Sequence, residues 1–231
     1  MAINLATLKT RSLSALIFLV VMLGGLLRNE GSFLILFFLI HLGCWIEFIK
    51  VVKKIYIKNY SLYLFYGLPY ISLPILLMID LRMNWTGLEV SKIAVGIVLP
   101  LLIIFSIWIN DTMAYLVGSL IGKTPFSPIS PKKTWEGTIG GAVLCVLIIG
   151  FGFPILIGHY FDANLKNSCF VIAAICAIFG TIGDLIESKL KRLANIKDSG
   201  SIMPGHGGFL DRFDSLLIAT PFVWLYLKLF L

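Results

Sequence analysis

Charge is what this chain has least of. Asp, Glu, Lys and Arg make up 13% of its 231 residues and apolar residues 58%, against about 25% charged in an ordinary soluble domain. A soluble core cannot take up so much apolar surface, so a bilayer must solvate much of the chain. Cysteine is sparse too. Cys44, Cys145, Cys169 and Cys176 all lie in apolar runs and form no C-x-x-C pair. That pattern excludes a disulfide framework or a zinc site and leaves four small hydrophobic side chains. There is no low-complexity tract, no internal repeat and no separate soluble domain. The net charge is +7, but the basic residues sit in short clusters between apolar runs, which is a membrane pattern and excludes nucleic acid as a partner. Lys9 and Arg11 precede the apolar run Leu13–Leu27 as in a signal peptide, yet no small-x-small cleavage site follows, so the run is read as a retained first span.

What the chain has in quantity is apolar sequence in membrane-crossing lengths. A helix needs about 20 apolar residues to cross the hydrocarbon core. The runs 12–27, 31–49, 61–79, 92–110, 137–158, 168–187 and 213–230 meet or approach that length. Backbone polar groups in lipid must be satisfied within the segment, so helices are the only reading of such runs. The expected fold is an all-α, polytopic transmembrane helix bundle of about seven spans. Residues 112–122 are too short to span and are expected as a short re-entrant or interfacial helix, or as part of a broken span. The whole of 1–231 reads as one integral membrane domain, with N-terminal helices over 1–110 and a catalytic part over 111–231. Lys9, Arg11, Lys50, Lys53, Lys54 and Lys58 set the N-terminus in the cytoplasm by the positive-inside rule. Alternating spans then bring the two long polar segments, 123–136 and 188–214, to that same face.

Those two segments carry the chemistry. Asp184 and Glu187 are three residues apart on one helix, and Asp211 and Asp214 repeat the spacing at the start of the next, so each pair shares a face. Carboxylates at membrane depth are costly and are by default functional. Four of them cannot converge ionised without cations among them, and hard oxygen ligands suit Mg²⁺. The competing reading is helix capping and interfacial ion pairing with Lys191, Arg192 and Arg212. Between the carboxylate pairs lies Pro204-Gly205-His206-Gly207-Gly208. A Gly-rich loop entering a helix can cradle phosphate; His206 is either a hydrogen-bond donor to a phosphate or a packed turn residue. In the other segment Lys132 and Lys133 are point charges suited to phosphate oxygens, or else a juxtamembrane cluster for anionic lipid. Asn110-Asp111-Thr112 adds a further carboxylate. Acidic ligands, lysines and a Gly-rich loop on one membrane face point to phosphoryl or nucleotidyl transfer, chemistry made mostly of positioning and charge neutralisation.

The run from Ser188 through Lys191, Arg192, Lys197, Asp198, Pro204, His206, Gly207, Gly208, Asp211 and Arg212 to Asp214 resembles the signature of the phosphatidate cytidylyltransferase, or CDP-diglyceride synthase, family. Met203 stands where that family more often has Leu, Ile or Phe. The segments 130–137 and 110–118 are also similar to the family's, and the N-terminal third matches only as hydrophobic helices. The resemblance implies an enzyme that joins CTP to phosphatidate, gives CDP-diacylglycerol and pyrophosphate, and requires Mg²⁺, with room for a second cation. It implies a homodimer in a bacterial cytoplasmic (inner) membrane, with its active site facing the cytoplasm. Asp184 and Asp211 are then the leading metal ligands, joined by Asp214 and Glu187. Asp111 binds a second cation or orients a lysine. Lys132, Lys133, Lys191, Arg192 and Lys197 neutralise phosphates, and Ser188, Gly205, His206, Gly207, Gly208 and Arg212 contact substrate. Two other readings compete. A CTP-dependent lipid or polyprenol kinase would need a base for its alcohol substrate. A membrane transporter predicts charges near mid-span and paired broken helices.

Overall fold

The computed structural model describes residues 5–87, 94–157, 163–202 and 207–231. Seven helices run through them: α1 (Leu5–Leu27), α2 (Glu30–Ile55), α3 (Tyr60–Met83), α4 (Gly96–Ile121), α5 (Trp135–Leu156), α6 (Ala163–Leu193) and α7 (Leu210–Phe230). Six of these, α2 to α7, are long and apolar enough to cross a membrane, and α1 contributes a shorter apolar stretch, Ser12–Leu27. Large apolar side chains stand exposed along the helices, among them Ile35, Ile155, Leu156 and Leu229. A soluble protein would bury them, and lipid covers them here. The chain is an all-α integral membrane protein, apart, among the described residues, from one small antiparallel hairpin, β1 (Pro125–Ser127) and β2 (Ser130–Thr134).

The chain divides into two compact units, one of residues 1–72 and 190–213, the other of 73–189 and 214–231. In the first, α1 ends at Leu27 and Asn29 starts α2 with a capping box: Ser32 N–H donates to the Asn29 side chain at 2.8 Å and Asn29 N–H to Ser32 Oγ at 3.1 Å. Gly25 lets α1 approach α2, since a Cβ there would lie 2.6 Å from Leu36 Cδ2. Phe33, Phe37, Ile40 and Cys44 form the buried stripe of α2. His41 shares hydrogen bonds with Trp45 Nε1 and Ser72 Oγ, each at 3.0 Å.

In the second unit α4 and α5 meet backbone to backbone. A Cβ on Gly141 would lie 2.5 Å from Ala114 N, and one on Gly137 would lie 2.9 Å from Gly118 Cα. Ala114 and Gly118, and Gly137 and Gly141, are each four residues apart, the small-residue spacing by which membrane helices pack closely. This corrects the expectation for residues 112–122. The helix does not stop at Asn110 or re-enter: α4 continues unbroken to Ile121, held by that close packing on α5. All four cysteines are buried and unbridged. Asp80 ties α3 to α7, accepting from Thr86 Oγ1 and Trp224 Nε1, both at 2.6 Å.

Candidate active site

α6 has 31 residues, about 46 Å at 1.5 Å per residue, whereas the hydrocarbon core is about 30 Å thick. The helix therefore extends beyond the hydrocarbon core, and its C-terminal third carries Asp184 and Glu187. Gly183 decides what they meet. A Cβ at Gly183 would lie 2.4 Å from the Asp214 carbonyl oxygen and 3.0 Å from Ser215 Cα, so only glycine permits this approach of α6 to α7. One turn earlier Ser215 Oγ donates to the Gly180 carbonyl at 3.0 Å. The result is a group in which Asp184, Glu187 and Asp214 each place a carboxylate oxygen within 4.8 Å of the others. Glu187 is 1% exposed and Asp214 7%; Asp184 is partly open and ion-paired with Lys133.

The hairpin brings Lys133 there. Its ends are pinned by Glu136, whose carboxylate accepts from Lys123 N–H, Thr124 N–H and Thr124 Oγ1, and Thr134 then caps α5 by accepting Gly137 N–H at 3.1 Å. Three carboxylates this close repel strongly unless a cation lies among them. All the donors are hard oxygens, the set that suits a divalent ion such as Mg²⁺. Among the described residues this is the acidic group placed to hold a metal.

The first unit holds a second polar cluster of different construction. Asp211, at the start of α7, accepts from Lys191 Nζ at 2.6 Å on Oδ1. Its Oδ2 accepts Ser199 N–H at 2.9 Å, Ser199 Oγ at 2.8 Å and Gly208 N–H at 2.7 Å. The adjacent glycines serve this carboxylate. Gly207 has φ +83°, and a Cβ there would lie 2.5 Å from Asp211 Oδ2, so glycine is needed for conformation and for space. The Gly208 N–H, a candidate phosphate donor by sequence, is directed at Asp211.

Of the residues singled out by sequence, the structure groups Asp184, Glu187 and Asp214 with Lys133, and separately Asp211 with Lys191. Asp111 is exposed on α4, and neither it nor Asp211 belongs to the three-carboxylate group. Lys132, Arg192, Lys197 and Arg212 are exposed, and Ser188 is half-buried. Gly205 and His206 lie outside the described residues. Sequence reasoning passed over Glu47, which is buried in α2 and accepts Ser199 Oγ at 2.7 Å and Leu210 N–H at 2.9 Å. Its signal was plain, a lone carboxylate inside an apolar run.

The model of the cytidylyltransferase family matches residues 59–230, most of the chain. The chain belongs to the cytidylyltransferase family. Among curated relatives it is 48% identical over 117 residues to the phosphatidate cytidylyltransferase of Staphylococcus haemolyticus, covering 50% of this chain and 43% of that protein. It is 42% identical over 135 residues to the chloroplastic phosphatidate cytidylyltransferase 4 of Arabidopsis thaliana, 58% of this chain and 33% of that one. The corresponding Staphylococcus aureus enzyme shares 45% over 117 residues, again 50% of this chain and 43% of the relative. The matched stretches thus span less than half the length of these relatives. Both carboxylate pairs and the hairpin fall inside the cytidylyltransferase match, and Glu47 falls outside it.

Proposed function

We propose that this protein transfers the cytidylyl group of CTP to phosphatidate, giving CDP-diacylglycerol and pyrophosphate, at the cytoplasmic face of a bacterial inner membrane. The observation that carries the reading is the group of Asp184, Glu187 and Asp214 at the end of a membrane helix with Lys133 against it, in a chain of the cytidylyltransferase family. The lipid substrate is membrane-bound and the nucleotide is not, which fits a site where α6 leaves the hydrocarbon.

The lipid phosphate is a monoester whose second pKa is about 6, so at neutral pH it is already the nucleophile and needs no strong base. One of its oxygens attacks the α-phosphorus of CTP, the bond from that phosphorus to the bridging oxygen breaks, and pyrophosphate leaves with the electron pair. The carboxylates are therefore ligands in this reading, with no part in acid/base transfer. Asp184, Glu187 and Asp214 would hold Mg²⁺, which when bound supplies neutralisation of phosphate charge as it develops. Lys133 and Lys132 on the hairpin, Lys191 and Arg192 in the last turn of α6, and Lys197 beyond it would add positive charge for the triphosphate and lipid phosphate. Asp211 orients Lys191.

The test is incubation of detergent-purified protein with phosphatidate and CTP labelled at the α-phosphorus. Labelled lipid that forms with Mg²⁺ and not with EDTA is the expected result. Label reaching a lipid alcohol only from the γ-phosphorus would overturn the reading in favour of a kinase.

A further inference from the structure

Glu47 lies on α2, before the segment that carries the family resemblance begins, and it is 2% exposed. Its Oε2 accepts Ser199 Oγ at 2.7 Å and Leu210 N–H at 2.9 Å. Leu210 is the first residue of α7, whose opening N–H groups have no partner within the helix, so Glu47 closes that helix end from another part of the chain. Ser199 Oγ also lies 2.8 Å from Asp211 Oδ2, and Asp211 holds Lys191. Glu47, Ser199, Asp211 and Lys191 thus form one chain of contacts.

Two glycines of the signature loop are explained by the same side chain. A Cβ on Gly200 would lie 2.0 Å from Glu47 Oε1, and one on Gly208 would lie 2.2 Å from Oε1 and 2.3 Å from Oε2. Real Cβ atoms do not come so close, so a side chain at either position would push the Glu47 carboxylate from its place. A carboxylate that two glycines make room for, and that receives a helix N-terminus and a loop hydroxyl, sets the shape of the loop rather than filling space.

We propose that Glu47 is a positioning residue: from α2 it fixes Ser199, Gly208 and Leu210 so that Asp211 presents Lys191 to the phosphates. The role in catalysis rests on the cytidylyl-transfer reading; the hold on the loop does not. The experiment compares wild type, E47Q, E47A, G208A and the double variant E47A/G208A. It measures thermal midpoints, and kcat and KM for labelled CDP-diacylglycerol synthesis well below those midpoints. E47A is expected to lower kcat about 100-fold, the scale of an ångström-sized misplacement, with the KM for CTP much less changed. E47Q, which keeps the volume and an acceptor oxygen, falls less. Because the Gly208 Cβ and the Glu47 carboxylate compete for one space, E47A/G208A should be no worse than the weaker single variant, in kcat and in midpoint alike. A merely structural glutamate would lower the midpoint and leave kcat per folded molecule intact, and that result overturns the proposal. So do losses that multiply in the double variant. If wild type makes no labelled lipid, the cytidylyl reading fails by itself, and the thermal cycle decides Glu47: non-additive midpoints keep its hold on the loop, additive ones remove it.

Discussion

The two units solve the problem of carboxylates in a membrane protein in opposite ways. In the first, Asp211 is surrounded by donors, with Lys191 on one oxygen and Ser199 and Gly208 on the other. Its charge is answered by the protein. In the second, Asp184, Glu187 and Asp214 bring carboxylate oxygens within 4.8 Å of one another, and Lys133 pairs with Asp184. Carboxylates crowded on one another are costly at membrane depth. Acidic residues equally close in sequence are therefore not equal in role. A carboxylate matched by donors organises its surroundings, and carboxylates crowded on one another are, in our proposal, the ligands of a cation that comes from outside.

The comparison breaks most readily at the second cluster. Asp214→Asn and Asp184→Asn each remove a proposed metal ligand, and should reduce cytidylyl transfer by more than the roughly 10- to 100-fold typical of residues one shell further out; initial rates at saturating Mg²⁺ check this. Asp211→Asn acts on the matched cluster and should cost about 1.5–3 kcal/mol of stability through its charged hydrogen bond, with an activity loss of about 10- to 100-fold through Lys191; paired thermal and kinetic measurements read both. Equal activity losses in all three variants, with no midpoint change in Asp211→Asn, would erase the distinction. Gly183→Ala keeps every carboxylate and forces α6 from α7, so it should cost about 1–3 kcal/mol by overpacking and raise the Mg²⁺ concentration needed for half-maximal rate. Smallest is Asp80→Asn. It weakens the Thr86 and Trp224 bonds and should lower stability by about 1 kcal/mol with kcat unchanged, which a thermal scan beside the labelled assay would show.

Much of the fold was legible because length and hydropathy alone separate spans from loops, and α2 to α7 coincide with the apolar runs. The continuation of α4 was not. Asn110 and Asp111 look like the end of a span, and what carries the helix onward is the contact of Ala114 and Gly118 with Gly137 and Gly141, a tertiary fact with no local signal. The hairpin over 125–134 was hidden because Ser130–Thr134 has neither β-branched residues in number nor alternation. At the site, helical spacing put Asp184 with Glu187 and Asp211 with Asp214, and the first pair stands together. For the second, spacing showed a shared face but not the partners: Asp211 turns to Lys191 and Ser199, Asp214 to Asp184 and Glu187. Glu47 was readable by the criterion already applied to Asp184, a charge set among apolar neighbours.

In our proposal Asp184, Glu187 and Asp214 are held close for a divalent cation. The most direct measurement is thermal unfolding of wild type and Glu187→Gln in EDTA and across a Mg²⁺ titration. In EDTA the variant should be the more stable, because removing one of three crowded charges relieves repulsion. Mg²⁺ at 100 times its Kd should then stabilise wild type by about 2.7 kcal/mol and the variant by far less. Equal Mg²⁺ stabilisation of both proteins, or none in wild type, would contradict the account.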